Sequence, residues 1–290
     1  MSYMKRLDRA FENAPILPIA PNTQYVFFSD CHRGIGTNND NFHQNANSYF
    51  AALQYYYQYG FHYIEVGDGD ELWESCCLDQ IVEIHEDVFS LLSQFHQKNK
   101  LYMLYGNHDM AKKNQEPLFD NFQYYEGIIL KSENFPIELR ITHGHQADLL
   151  NSVFWKLARF LVRYLWTPLE SFGVLDPTSA AKNNTKKQKL EKRYMEYAQN
   201  SNCLLLTGHT HRPTLGDSLS LYYNSGSCVH PKCITCIELC GYRINLVKWH
   251  SCVEKSEHFG NIYAKCPPVY PVYIKREVLE TEILFNSNSN

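Results

Sequence analysis

The chain has 290 residues, a net charge of −4 and a hydrophobic content of 44%, which suits one large domain, or one domain carrying an insertion, with a substantial core. The slightly acidic balance excludes a global basic field, so no nucleic-acid partner is expected, and the lack of any apolar run of about 18 residues excludes a spanning helix. The ten cysteines accompany an N-terminal stretch, residues 1–9, with no apolar signal segment. Free thiols in a reducing cytoplasm are therefore expected. They include Cys233, Cys236 and Cys240, which lie in an apolar stretch that reads as a buried strand and carries only half of a paired-cysteine metal pattern.

In chain order, residues 25–28 read as a short buried strand, 42–59 as a helix, 63–66 as a strand, 81–97 as a helix and 101–105 as a strand. Such a strand–helix alternation implies a parallel sheet covered by helices. Residues 137–142, 203–206, 219–223, 234–239 and 242–249 read as further strands, several of them antiparallel. Between them, 148–200 is a helical section broken by Pro168 and Pro177, an insertion within a single domain spanning 1–290. The stretch 254–290 has no clear pattern, and its polar end, 286–290, is expected to be disordered.

Five of the strands end in residues that bind metals. Asp30 and His32 are two apart after the first strand, so in extended chain they point to one side. The second strand ends in Gly67-Asp68-Gly69-Asp70-Glu71, where either Asp68 or Asp70 follows a glycine that lets the backbone turn into a site. The third ends in Gly106-Asn107-His108-Asp109. His143 and His145, then His209 and His211, are one-apart histidine pairs after two later strands. Any one cluster alone is an ordinary polar turn. Together, at strand ends where open α/β sheets bind ligands, they form a carboxylate and imidazole set for two divalent ions. Manganese is foremost among these, with iron, zinc, cobalt or nickel also suited.

These motifs resemble the calcineurin-like metallophosphoesterase superfamily: Asp-x-His, Gly-Asp, Gly-Asn-His-Asp, His and Gly-His-x-His occur here in the family's order. The resemblance implies a four-layer αββα sandwich of two mixed β-sheets. It implies that Asp30, His32 and His211 bind one metal, that Asn107, His143 and His209 bind the other, and that Asp68 bridges them. It also implies hydrolysis of a phosphate ester or pyrophosphate by a hydroxide shared between the metals, with His108 as the acid on the leaving group and Asp109 orienting it. The Gly-Asp-Gly-Asp-Glu-Leu-Trp segment and the Gly-His-Thr-His-Arg-Pro run are similar to the UDP-2,3-diacylglucosamine pyrophosphohydrolase branch. That branch carries Arg where His108 stands and an acidic residue where His145 stands, which separates this chain from the identical substrate. Arg33, directly after the first motif, is a candidate phosphate ligand or a structural ion-pair residue, and His145 a candidate substrate contact.

Within the insertion, 152–166 carries Val153, Phe154, Leu157, Phe160, Leu161, Tyr164 and Leu165 at helical spacing, with Lys156, Arg159 and Arg163 on another face. Such a helix packs on the core, lines a lipid pocket or lies on a membrane surface. The lysine-rich run 182–192 is a solvated face or an anion contact. The insertion lies between His143 and His209 in sequence, so it rises near the metal cleft and reads as a lid. A phosphorylated small molecule or lipid-linked substrate, with peripheral contact at the inner membrane face through 152–166, is the expected partner. A protein serine/threonine phosphatase and a non-catalytic scaffold on the same fold are the alternatives.

Overall fold

The structure is a computed structural model that describes residues 1–37, 40–74, 77–166, 183–216, 220–253 and 272–284. Among them are two mixed sheets. The seven-stranded sheet runs in the order β12 (Val272–Ile283), β11 (Arg243–Val253), β10 (Cys233–Cys240), β2 (Gln24–Phe28), β3 (His62–Glu65), β4 (Leu101–Leu104) and β5 (Tyr124–Tyr125). Strands β2 to β5 are parallel, and β10 to β12 continue the sheet antiparallel on the other side of β2. The five-stranded sheet runs β1 (Ile16–Pro18), β6 (Gly127–Lys131), β7 (Leu139–Thr142), β8 (Leu204–Thr207) and β9 (Tyr222–Asn224), with β7, β8 and β9 parallel.

The strands are apolar on both faces because both faces are covered. In β2, Tyr25 and Phe27 point between the sheets, where they join Ile64, Leu104, Ile141 and Leu206. Val26 and Phe28 point outward onto α2 (Ala46–Gln58) and α4 (Glu86–Gln97), meeting Tyr49, Leu53, Leu92 and Phe95. Leu205, between the inward Leu204 and Leu206, faces the other outer layer, where Leu7 of α1 (Tyr3–Arg9) and Leu190, Tyr194 and Tyr197 of α7 (Asn184–Asn200) cover it. The period-two alternation of each strand thus generates a helix, sheet, sheet, helix sandwich.

The helix read over 81–97 begins earlier and breaks at His85 into α3 (Leu78–Ile84) and α4. The His85 backbone leaves helical geometry, and its Nε2 lies 3.0 Å from the Gly34 carbonyl, which fixes the break. Strands β1 and β5 have three and two residues, too short for a periodic signal. In β12 the charges of Lys275, Arg276, Glu277, Glu280 and Glu282 hide the alternation. The described cysteines are free, and Cys236 packs 3.3 Å from the Tyr56 hydroxyl. Leu219, Pro168, Pro177, Lys182 and 286–290 lie outside the described residues.

The section 148–200 divides. Helix α7 is the fourth layer of the sandwich itself, and its Lys186 Nζ lies 2.6 Å from the buried Asp148 Oδ2. What stands off the sandwich is α5 (Leu149–Ser152), α6 (Trp155–Leu161) and a π-helical turn, Val162–Trp166. The apolar stripe is not buried: Val153, Phe154, Leu157, Phe160 and Tyr164 are 50–65% exposed. Among the described residues no helix is long and apolar enough to cross a membrane.

Candidate metal centre

Because β2, β3 and β4 are parallel neighbours, their C-terminal loops emerge side by side and bond to one another. Asp30 donates its backbone N–H to Gly67 (3.1 Å), His32 to Asp68 (2.9 Å) and Arg33 to Gly69 (3.0 Å). On the other sheet, Gly208 donates to the His143 carbonyl (3.1 Å). Two close approaches require glycine. A Cβ on Gly67, where φ is +79°, would lie 2.7 Å from the His143 ring, and one on Gly106 would meet the Asp68 carboxylate at 2.0 Å. Asp30, His32, Asp68, His209 and His211 all hold positive φ, a conformation that non-glycine residues keep only where their surroundings impose it.

These loops aim seven side chains inward. Asp30 spends Oδ2 on the His209 N–H (2.9 Å), and Asp68 spends Oδ1 on the His108 N–H (2.8 Å). Each therefore turns one oxygen to the centre. Asp30 Oδ1 lies 3.0 Å from His211 Nε2 and 3.9 Å from His32 Nε2. Asp68 Oδ2 lies 3.2 Å from His143 Nε2 and 3.8 Å from His32 Nε2, between the two groups. Asn107 Oδ1 is 3.2 Å from His143 Nε2. Ligand atoms of Asp30, His32 and His211 fall within 4.8 Å of one another, as do those of Asp68, His143 and His209.

The electrostatics fit a pair of cations. Burial by itself raises the Asp30 and Asp68 carboxyls, but neighbouring imidazoles, foremost His211 for Asp30 and His143 for Asp68, outweigh it and hold both below the usual range. Burial lowers His32 and His143, yet Glu71 with the two aspartates lifts His32 to about 10, and Asp68 lifts His143 to about 9. Lowered carboxyls and raised imidazoles mark a negative field at the centre, the field that attracts divalent ions. His209 Nε2 is buried without a hydrogen-bond partner, Asp30 Oδ1 has the His211 imidazole at 3.0 Å, and this mixed nitrogen and oxygen set suits such an ion.

Beside this centre, His108 is held by a carboxylate, but not by Asp109. Its Nδ1 lies 2.8 Å from Glu71 Oε1, and the other Glu71 oxygen takes His32 Nδ1 at 2.8 Å. Asp109 instead turns back on its own loop. It accepts from the Gly106 N–H (2.6 Å), the Gly69 N–H (3.2 Å) and Lys112 Nζ (3.1 Å). The orienting carboxylate is therefore Glu71, three residues after Asp68; the acidic run carried that signal but did not say which carboxylate faced His108. Asp70 faces the opposite way, onto Arg33 Nε (2.7 Å) and Lys112 Nζ (2.7 Å), which leaves Asp68 at the centre.

Arg33 is fully buried, and of its two readings the structural ion pair holds: the guanidinium is taken by Glu65 (2.6 and 2.9 Å), Asp70 and Tyr49. It has no face toward a substrate. His145 is buried, its Nδ1 has no hydrogen-bond partner, and its ring lies 5.5 Å from that of His143. Burial, then the charges of His143 and His209, push it well below the usual histidine range, so it is neutral. Two residues that sequence reading passed over also support the site. Asp148 Oδ2 stands 3.7 Å from His209 Nε2, and His230 Nε2 lies 2.7 Å from the His211 carbonyl. Both are distant in sequence from the histidine they support, and no motif marks either.

No protein-family model and no curated protein matches the chain. Among solved structures, Vps29 of Chaetomium thermophilum aligns over 92% of this chain and 100% of its own, with a TM-score of 0.40 and 8% identity. A likeness that loose says nothing of activity.

Proposed function

We propose that this protein is a phosphoesterase that uses two divalent cations to hydrolyse a phosphate ester or pyrophosphate. The observation that supports this most is the placement of Asp68 Oδ2 between two ligand groups, with a carboxylate-backed histidine beside them. Asp30, His32 and His211 would hold one ion, Asn107, His143 and His209 the other, and Asp68 both. When bound, such ions supply Lewis acidity to the phosphoryl oxygens and an acidified water as nucleophile; manganese is the first to test.

His108 is suited to deliver the proton. Burial lowers it, but Glu71 and Asp68 outweigh that and raise it, which favours the protonated form an acid needs. Glu71 holds Nδ1, leaving Nε2 for the departing oxygen. The orientation Asp109 was to provide falls to Glu71, while Asp109 shapes the loop that carries Asn107 and His108.

The substrate class we favour is a phosphorylated amphiphile, such as a lipid-linked nucleotide. A cavity of about 420 Å³ is lined by Leu150, Phe154, Lys189, Leu190, Arg193 and Asp148, the last of which stands 3.7 Å from His209. It combines cations with apolar walls and shares Phe154 with the exposed stripe. That stripe, with Lys156 and Arg159 beside it, suits peripheral contact with an anionic membrane on its cytoplasmic face. Turnover of p-nitrophenyl and bis-p-nitrophenyl phosphate with added manganese tests the reaction; a metal-loaded protein inert on both would favour a scaffold. Comparing UDP-diacylglucosamine with phosphopeptides tests the substrate class, and preference for the peptides would replace it with a protein phosphatase.

A further inference from the structure

The insertion does more than stand beside the cleft. His108 is fixed on three sides: Glu71 holds its Nδ1 edge, the Trp73 indole stacks on one face with centroids 4.1 Å apart and planes at 17°, and the His32 ring packs against it at 4.6 Å and 88°. Trp73 is buried, and its Nε1 donates to the Asn107 carbonyl at 2.6 Å. The indole therefore touches the loop of a metal-ligand candidate and the ring of the proton donor at once. Trp73 belongs to a turn, 71–74, whose Trp73 and Glu74 N–H groups donate to Glu71 Oε1 at 3.1 and 3.3 Å. The same carboxylate thus shapes the turn and holds His108.

The carbonyls of this turn are gripped from the insertion. Arg163, ninety residues on in the π-helical turn Val162–Trp166, donates Nε to the Trp73 carbonyl (2.6 Å) and Nη2 to the Leu72 carbonyl (3.0 Å). A guanidinium presents its donors in a rigid fork, so holding two successive carbonyls sets the orientation of the peptide plane and of the indole attached to it. Single π-helical turns are frequent at functional sites. We propose that Arg163 is a positioning residue: it couples the seat of the insertion to His108 through the 71–74 turn and the Trp73 indole, so the proton donor is aligned only while the insertion is docked.

An anchor that merely holds the insertion in place would leave the His108 ring where it is, which separates the two roles experimentally. In the metal-free 290-residue chain with isotopically labelled histidine, the His108 Cε1–H resonance can be assigned by its loss in His108→Gln. It should lie upfield, shifted by the indole ring current. Arg163→Ala should move it downfield toward its position in Trp73→Ala, and Arg163→Lys should recover part of the shift, which covers the case that the alanine variant folds poorly. With metal added, Arg163→Ala should lower kcat on an alkyl phosphate about tenfold and on p-nitrophenyl phosphate clearly less, because a good leaving group departs without a proton. This second readout rests on the phosphoesterase reading; the resonance does not. An unmoved resonance in Arg163→Ala, or equal losses on the two esters, overturns the proposal. A wild-type protein inert on both esters sinks the phosphoesterase reading and leaves the resonance to decide this one.

Discussion

At the rim of the sheets, five of the seven candidate ligands hold backbone φ between 47° and 66°, each at a cost on the order of 1–3 kcal/mol. That strain persists because the surrounding loops are buried, bonded across both sheets and packed against glycines that admit no Cβ. The insertion from 149 to 166 borders the same cleft on opposite terms. Its large apolar side chains face solvent, Ala158 is the buried residue of α6, and Arg163 ties it to the turn beneath. Positions that must hold charge within fractions of an ångström are over-determined. The surface proposed to meet a substrate or membrane is left with little to lose by moving.

The contrast can be broken most severely at Asp68. Asp68→Ala should lose bound manganese by elemental analysis and more than about a hundredfold in turnover; full metal occupancy in that variant would remove the bridge from the account. Next is the ion-pair floor under the rim. Burial raises Asp70, but Arg33 and Lys112 outweigh it and hold it far below the usual carboxylate range. Its contribution is therefore present at neutral pH and is lost as the pH falls below the ordinary aspartate range, about 4. Asp70→Asn should destabilise by about 3–5 kcal/mol at pH 7 because it leaves two buried cations short of a partner, and urea unfolding should show the gap to wild type narrowing in acid.

At the proposed proton donor, Glu71→Gln gives a smaller effect. Glu71→Gln removes the charge that raises His108, so the protonated form vanishes at lower pH. The alkaline limb of the pH–rate profile should shift downward, with a loss of about 10–100-fold on a poor leaving group, while His108→Ala loses about 10²–10⁴-fold. An unchanged limb would take Glu71 out of the acid's control. The mildest change lies in the insertion: Phe160→Ser should alter unfolding stability by less than about 0.5 kcal/mol, since the ring is already exposed, yet weaken binding to anionic vesicles in a sedimentation assay. A large stability loss there would mean that the stripe is packed and that the two regions are alike after all.

Much of the candidate site was legible because each ligand pair directly follows an apolar strand, and strand direction alone delivers it to the end of the sheet. Asp30, His32, Asn107, His143, His209 and His211 needed no long-range knowledge. Arg33 stayed open for the same reason: it directly follows a ligand motif, and only Glu65 and Asp70, more than thirty residues on, decide for the ion pair in the core. Asp109 stands next to His108 but bends toward Gly106, whereas Glu71 reaches the ring across two strands. Strands β1, β5 and β12 were not legible because short or charge-studded segments take their conformation from the neighbour they pair with.

Sequence alone determined which residue types arrive at the strand ends and in what order, because strand periodicity and glycine placement are local properties of the chain. It also determined that the stripe of α6 would be apolar. Tertiary structure decided which carboxylate faces the centre, which one holds His108, that Arg33 is sealed in the core, and that α7 is a layer of the sandwich while α6 stands exposed. Those choices depend on the electrostatic and packing balance between groups far apart in the chain, and that balance exists only once the two sheets have closed on one another.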